Sequence, residues 1–202
     1  MARPARGPHD EGVSEPGSPS SSLAERLSSA RTVLVFGEID AKLSERVCGE
    51  ILALDAASPD PIRVVVSSPG GHVESGDAIH DVIRFVSAPV HVVGSGWVAS
   101  AGALIYVSVP RPRRYALPNT RFMLHQPSGG AGGVAADIAI AARQIVATRE
   151  RLERIFAEAT GRTLEQICED TRRDHWMTAT EALEYGLVGS IVDSAAAIER
   201  SG

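Results

Sequence analysis

Three short β-branched runs, separated by stretches of helical periodicity, constrain this chain more than any other feature. They are Thr32 to Phe36 (TVLVF), Ile62 to Ser67 (IRVVVS) and Val90 to Gly94 (VHVVG). Branching at Cβ restricts χ1 and favours extended backbone. Between the first two runs, Asp40 is placed to cap a helix through Asp55, with Leu43, Val47, Ile51 and Leu54 on one face. Between the second and third, Glu74 to Val86 sets Ile79, Val82, Ile83 and Val86 on one side. Alternating strand and helix implies a layered α/β fold. The IRVVVS run is apolar enough to predict a strand buried on both faces.

After the third run, Gly94-Ser95-Gly96 reads as a turn into a helix from about Ser100. Tyr115 to Leu117 and Arg121 to His125 read as short strands around a Pro118-Asn119 turn. A glycine-rich loop, residues 128 to 133, precedes a helix from about Ala135 to Ala159, striped by Ile138, Ala142, Ile145, Leu152 and Phe156. At 1.5 Å per residue it is roughly 35 to 40 Å long, more than a small domain needs, so it is expected to pack on another subunit. Thr163 to Asp170 predicts a shorter helix. Thr178 and Glu181 form a capping-box pattern opening a helix that ends at Gly186, and Leu187 to Val192 reads as a last strand. Residues 1–22 are rich in Pro, Ser, Gly and charge and read as a disordered tail. The folded domain is expected over 23–196, with 197–202 a short C-terminal tail.

Net charge is -5, and no basic patch with interleaved aromatics occurs, so nucleic acid and anionic membranes are not expected partners. Cys48 and Cys168 have neither CxxC nor zinc-site spacing; they read as small thiols in a reducing compartment, with no metal site. The N-terminus lacks the apolar run of a secretory signal, and no stretch of about 18 apolar residues occurs. A cytoplasmic location is expected.

Two turns can carry chemistry. In Ser68-Pro69-Gly70-Gly71, glycines let a backbone N–H approach a ligand with no Cβ in the way. In Gly96-Trp97-Val98-Ala99-Ser100-Ala101-Gly102, small residues flank a serine where a helix begins and N–H groups are free. A serine nucleophile needs a base. Lys42 is the only lysine and opens the first helix, which argues against a Ser–Lys pair. His9 lies in the tail, and His72, His80 and His91 show no acidic companion in the sequence. His125 sits at a strand end before the glycine loop, a usual place for a functional side chain. Asp174 is one acidic residue among 25. On pattern alone Ser100 is equally a helix cap, His125 a structural histidine and Gly70-Gly71 only a turn.

From about Val33 to Asp193 the chain resembles the Clp protease proteolytic-subunit family. The resemblance rests on SPGG at Ser68 to Gly71, ASAG around Ser100, LPNTRFMLHQP at Leu117 to Pro127, and LEQICEDTRRDHWMTATEALEYGLV at Leu164 to Val188. It implies a crotonase-like βαβ spiral with a protruding long helix for ring stacking. It also implies a serine endopeptidase with Ser100 as nucleophile, His125 as base and Asp174 as orienting acid. The backbone N–H groups of Gly71 and Ala101 would form the oxyanion hole, and Arg173 would serve ring-to-ring contacts. Two seven-membered rings, of this chain alone or with a second subunit of the kind, would enclose a chamber. ATP would be used by a separate AAA+ unfoldase, leaving no cofactor in this subunit. Arg63 and Val65 stand where typical members carry the aromatics of the unfoldase-docking pocket, the tail lacks the pore-lining pattern, and Ala101 replaces a usual methionine. The competing readings are a non-catalytic ring subunit and an acyl-CoA enzyme of the same fold. A signal-peptide-peptidase relative would want a lysine base and an anchor.

Overall fold

The computed structural model describes residues 19–127 and 132–199. Helix α1 (Pro19–Ser29) leads into β1 (Thr32–Phe36), then α2 (Ala41–Ala57), β2 (Ile62–Ser68), α3 (Val73–Phe85) and β3 (Val90–Ala99). After them come α4 (Ala101–Tyr106), β4 (Arg114–Ala116), β5 (Arg121–Leu124) and the long α5 (Ala135–Thr160). The chain ends through α6 (Leu164–Asp170), β6 (His175–Thr178), α7 (Ala179–Tyr185), β7 (Ser190–Ile191) and α8 (Ala195–Glu199). The sheet runs β1-β2-β3-β4-β7, with β5 branching from β3 and β6 from β5. Every pairing is parallel except β5 with β6.

The β-branched runs form the strands they predict, and Asp40 caps α2 by accepting from the Leu43 N–H at 2.7 Å. Val47, Ile51 and Leu54 of α2 and Ile79 and Ile83 of α3 cover the core face of the sheet, where Val33, Val35, Val64, Val66 and Val92 are buried. Thr178 and Glu181 close the expected capping box, and Thr163 with Gln166 closes a second one on α6.

Several features differ from the sequence reading. The faces of β2 alternate, one buried and one half-buried, so this strand is not sealed on both sides. Its outer face meets a smaller cluster of Val93, Tyr115, Val192 and Ile198, partly supplied by the unpredicted α8. Helix α1 reaches back to Pro19 inside the segment read as a tail, and α8 (Ala195–Glu199) runs on from the expected domain into the segment read as a C-terminal tail. Residues 1–18 and 200–202, and the loop residues 128–131, lie outside the described residues. The last strand is only Ser190–Ile191, and β6 was not anticipated.

One further difference shapes the site. Gly94-Ser95-Gly96 is not a turn; β3 runs through it to Ala99. A Cβ on Gly94 would sit 3.1 Å from Phe122 Cζ and 3.2 Å from Thr120 Cγ2, so glycine here permits close packing. The Gly94 carbonyl accepts from Leu117 N–H and Thr120 Oγ1 at 3.0 and 2.9 Å. At this point β3 changes neighbour, pairing with β4 through Val92–Gly94 and with β5 through Trp97–Ala99.

Arg114, 4% exposed, ties the layers together. Its guanidinium donates to Val109 O, Ala159 O and Leu187 O at 2.7, 2.8 and 3.3 Å. Burial pulls its pKa down to about 10, still charged at neutral pH. Replacing Arg114 with Met leaves three carbonyls without their donor, and a loss of about 3 kcal/mol is expected. The check is urea unfolding, where an unchanged midpoint would refute the role.

Candidate active site

Three adjacent strands end at one edge of the sheet, and the three candidate residues lie where they end. Ser100 follows β3 directly, His125 follows β5, and Asp174 precedes β6. The register does the positioning. Ala99 pairs with Met123, and Ser100 N–H donates to Met123 O at 3.0 Å. On the other side Leu124 pairs with His175 in the antiparallel ladder, so His125 and Asp174 face one another one step beyond it. Ser100 Oγ lies 2.7 Å from His125 Nε2, and His125 Nδ1 lies 3.2 Å from Asp174 Oδ1. Asp174 is exposed and His125 partly covered. The carboxylate and imidazole are thus positioned from strands that the sequence separates by 49 residues.

Ser100 has φ 54 and ψ -121, a strained conformation for a residue with a side chain. Such strain costs on the order of 1–3 kcal/mol and persists only where neighbours enforce it. The turn points the side chain out of the strand end and starts α4, as a nucleophile elbow does. Gly70 lies against it: a Cβ there would stand 2.6 Å from Ser100 Cβ and 3.1 Å from Ser100 Oγ. Gly71 has φ 146 and is locked to the loop before α2, since Ile39 N–H donates to Gly70 O and His72 N–H to Ile39 O at 2.8 and 2.7 Å. Ala101 is buried at the first turn of α4, directly after Ser100. Arg173 is exposed, and lines an open hollow with His125, Gln126, Arg172 and Asp174.

A small apolar pocket adjoins Ser100 and His125, lined by Val73, Leu104, Leu124, Pro127, Leu152 and Phe156. Leu152 and Phe156 come from the second half of α5, which Arg151 pins to α3 through paired 2.6 Å bonds to Asp77. Among the described residues, no ionisable group other than His125 lines this pocket.

Two histidines read as lacking acidic companions have them. His72 Nε2 lies 3.1 Å from Glu74, and His80 Nδ1 lies 3.0 Å from Asp81. His72 Nδ1 is also 2.9 Å from Ser75 Oγ, so serine, histidine and carboxylate meet there too. The second cluster lacks the features of the first. Ser75 is buried within α3, with ordinary helical backbone, and does not line the apolar pocket. Lys42 is exposed on α2, and the two cysteines are free.

The Clp protease family model matches residues 16–195. The chain is 56% identical over 172 residues to ATP-dependent Clp protease proteolytic subunit 3 of Rhizobium etli, covering 85% of this chain and 89% of that protein. It is 52% identical over 184 residues to proteolytic subunit 2 of Pseudomonas aeruginosa, covering 91% of this chain and 92% of that protein. Among solved structures, ClpP1 from Listeria monocytogenes superposes with a TM-score of 0.79 at 45% identity, over 87% of this chain and 99% of that one. The crotonase-like spiral expected from the sequence is therefore the fold observed, and the chain belongs to the Clp protease family.

Proposed function

We propose that Ser100, His125 and Asp174 form the catalytic triad of a serine endopeptidase subunit in a Clp-type chamber protease. The chain of contacts from Ser100 Oγ through the imidazole to Asp174 Oδ1, at 2.7 and 3.2 Å, is the observation that carries this reading. Serine-type peptidase activity itself follows from family membership.

His125 Nε2 accepts the Ser100 proton as Oγ attacks the peptide carbonyl carbon. Asp174 accepts from Nδ1–H, which fixes the tautomer and stabilises the imidazolium. The carbonyl oxygen becomes an oxyanion, for which the Gly71 and Ala101 N–H groups are the proposed donors. Collapse of the tetrahedral adduct breaks the C–N bond, and the imidazolium gives its proton to the leaving amine. Water repeats the sequence on the acyl-enzyme. The apolar pocket would receive the side chain beside the scissile bond, so apolar residues are expected there and charged ones disfavoured. Acyl transfer of this kind needs no metal or cofactor in the subunit.

The particle is proposed to be two stacked seven-membered rings in the cytoplasm, alone or mixed with a second subunit. Val134 at the N-cap of α5 and Ile138, Ile140 and Val146 on its first half expose apolar surface, which supports packing against another subunit. Arg173, beside Asp174, would couple that contact to the triad. An AAA+ unfoldase would consume ATP and feed unfolded chains, with Arg63 and Val65 giving an atypical docking face. Among the described residues, no helix is long and apolar enough to cross a membrane. A non-catalytic ring subunit would have no use for an aligned triad.

Fluorophosphonate labelling with peptide mapping tests the reading. One label per subunit on Ser100, lost in His125→Ala, is expected. Labelling of Ser75 instead, or labelling that persists at wild-type rate without His125, would overturn it.

A further inference from the structure

Asp174 sits on a four-residue connection between α6 and β6, residues 171–174, and is itself exposed. Something must hold that connection if its carboxylate is to stay on His125. Tyr185, the last residue of α7, touches both ends of it. Its hydroxyl donates to Asp170 Oδ2 at 2.7 Å, where α6 ends. Its ring packs at 5.3 Å and 42° against His175, the residue immediately after Asp174. Arg162 lies over the Tyr185 ring, with its guanidinium carbon 3.8 Å from the ring centroid and its Nε donating to Tyr185 O at 3.1 Å. At its start, Thr171 O accepts from Gln126 N–H at 3.0 Å, joining the same connection to the residue after His125.

Tyr185 is 7% exposed. Burial, then the Asp170 carboxylate, raises its pKa far above the usual phenol range, so the hydroxyl remains a donor at working pH. A simple core aromatic would need neither that hydroxyl bond nor a partner at the end of α6. The geometry points to Tyr185 as a positioning residue: it clamps the α6–β6 connection at both ends and so holds Asp174 on His125. This rests on the triad reading above. Because Tyr185 touches neither Ser100 nor His125, its effect belongs to alignment of the third member alone.

The test is steady-state peptide hydrolysis by the assembled particle, with particle mass measured on each variant. Tyr185→Phe keeps the ring and removes the hydroxyl. A fall in kcat of about three- to tenfold with unchanged KM is expected, as for a small misplacement of an aligned group. Asp170→Ala should match it, while Asp170→Asn, which keeps an oxygen acceptor, should stay near wild type. In an Asp174→Asn background, Tyr185→Phe should add less than about twofold, since two changes acting through one group are not additive. Wild-type kcat in Tyr185→Phe would overturn the inference. So would a full additional loss in the Asp174→Asn background, or a loss accounted for by particles falling apart. Unchanged kcat in Asp174→Asn by itself would instead sink the triad reading, which separates the two failures.

Discussion

Ser100→Ala is expected to remove peptide hydrolysis almost completely, by on the order of 10⁵–10⁶ in kcat. The size follows from what is lost. Without Oγ there is no atom for His125 to deprotonate and no acyl-enzyme, and only binding and oxyanion contacts remain. Stability should barely change. Among the described residues the hydroxyl pairs with His125 Nε2 alone, and His125 is partly solvated, so its nitrogen can be met by water. Alanine keeps the same Cβ, so the strained φ of 54 gains no new clash. The measurements are fluorogenic peptide turnover, fluorophosphonate labelling and thermal midpoint on one preparation. Residual turnover near wild type would move the nucleophile elsewhere, and Ser75 beside His72 would be the first residue to examine.

Gly71→Ala carries the second-largest expected effect, and it reaches activity and stability together. At φ 146 an L-residue is strained wherever it sits. Here the added Cβ would also fall on backbone, 2.7 Å from Ile39 N and 2.9 Å from Ile39 C, and nearer still to the Ile39 oxygen. Backbone cannot rotate aside as a side chain can. The loop must move, which breaks the bonds from Ile39 N–H to Gly70 O and from His72 N–H to Ile39 O. A stability loss of about 2–4 kcal/mol is expected from strain plus broken bonds. The same shift withdraws the proposed Gly71 donor from the oxyanion, and kcat should fall on the order of 10²–10³-fold. Gly37→Ala is the control. Gly37 also has positive φ, at 84, but a Cβ there meets nothing within 4 Å. Its variant should lose about 1 kcal/mol and keep full activity. If Gly71→Ala hydrolyses peptide like wild type, the loop does not supply the donor.

How far the site could be read beforehand differs from residue to residue. Ser100 and the paired glycines are candidates by their small neighbours and their turns, although the same pattern equally allows a helix cap and a plain turn. His125 was a candidate by its place before a glycine loop. Asp174 had no such signal: as one of 25 acidic residues, it was named only through family resemblance. What selects it physically is the pairing of Leu124 with His175, and β6 was the strand that the pattern of His175 to Thr178 failed to announce. The acidic neighbours of His72 and His80 were missed although they lie within two residues in sequence. Adjacency in the chain does not reveal which way a side chain turns.

The elements that local sequence encodes are those held by short-range interactions. Branched side chains set β1, β2 and the start of β3, Asp40 and Thr178 set helix starts, and Gly186 with φ 93 set a helix end. Each depends on interactions within a few residues, which local composition encodes. Tertiary structure alone decided that Gly94 and Gly96 lie inside a strand rather than in a turn. Glycine's freedom permits both, and the close approach of Phe122 and Thr120 selects one. It likewise decided that three strand ends meet, because register between strands far apart in the chain is set by packing the whole sheet. No single segment holds the information that brings Ser100, His125 and Asp174 to one edge.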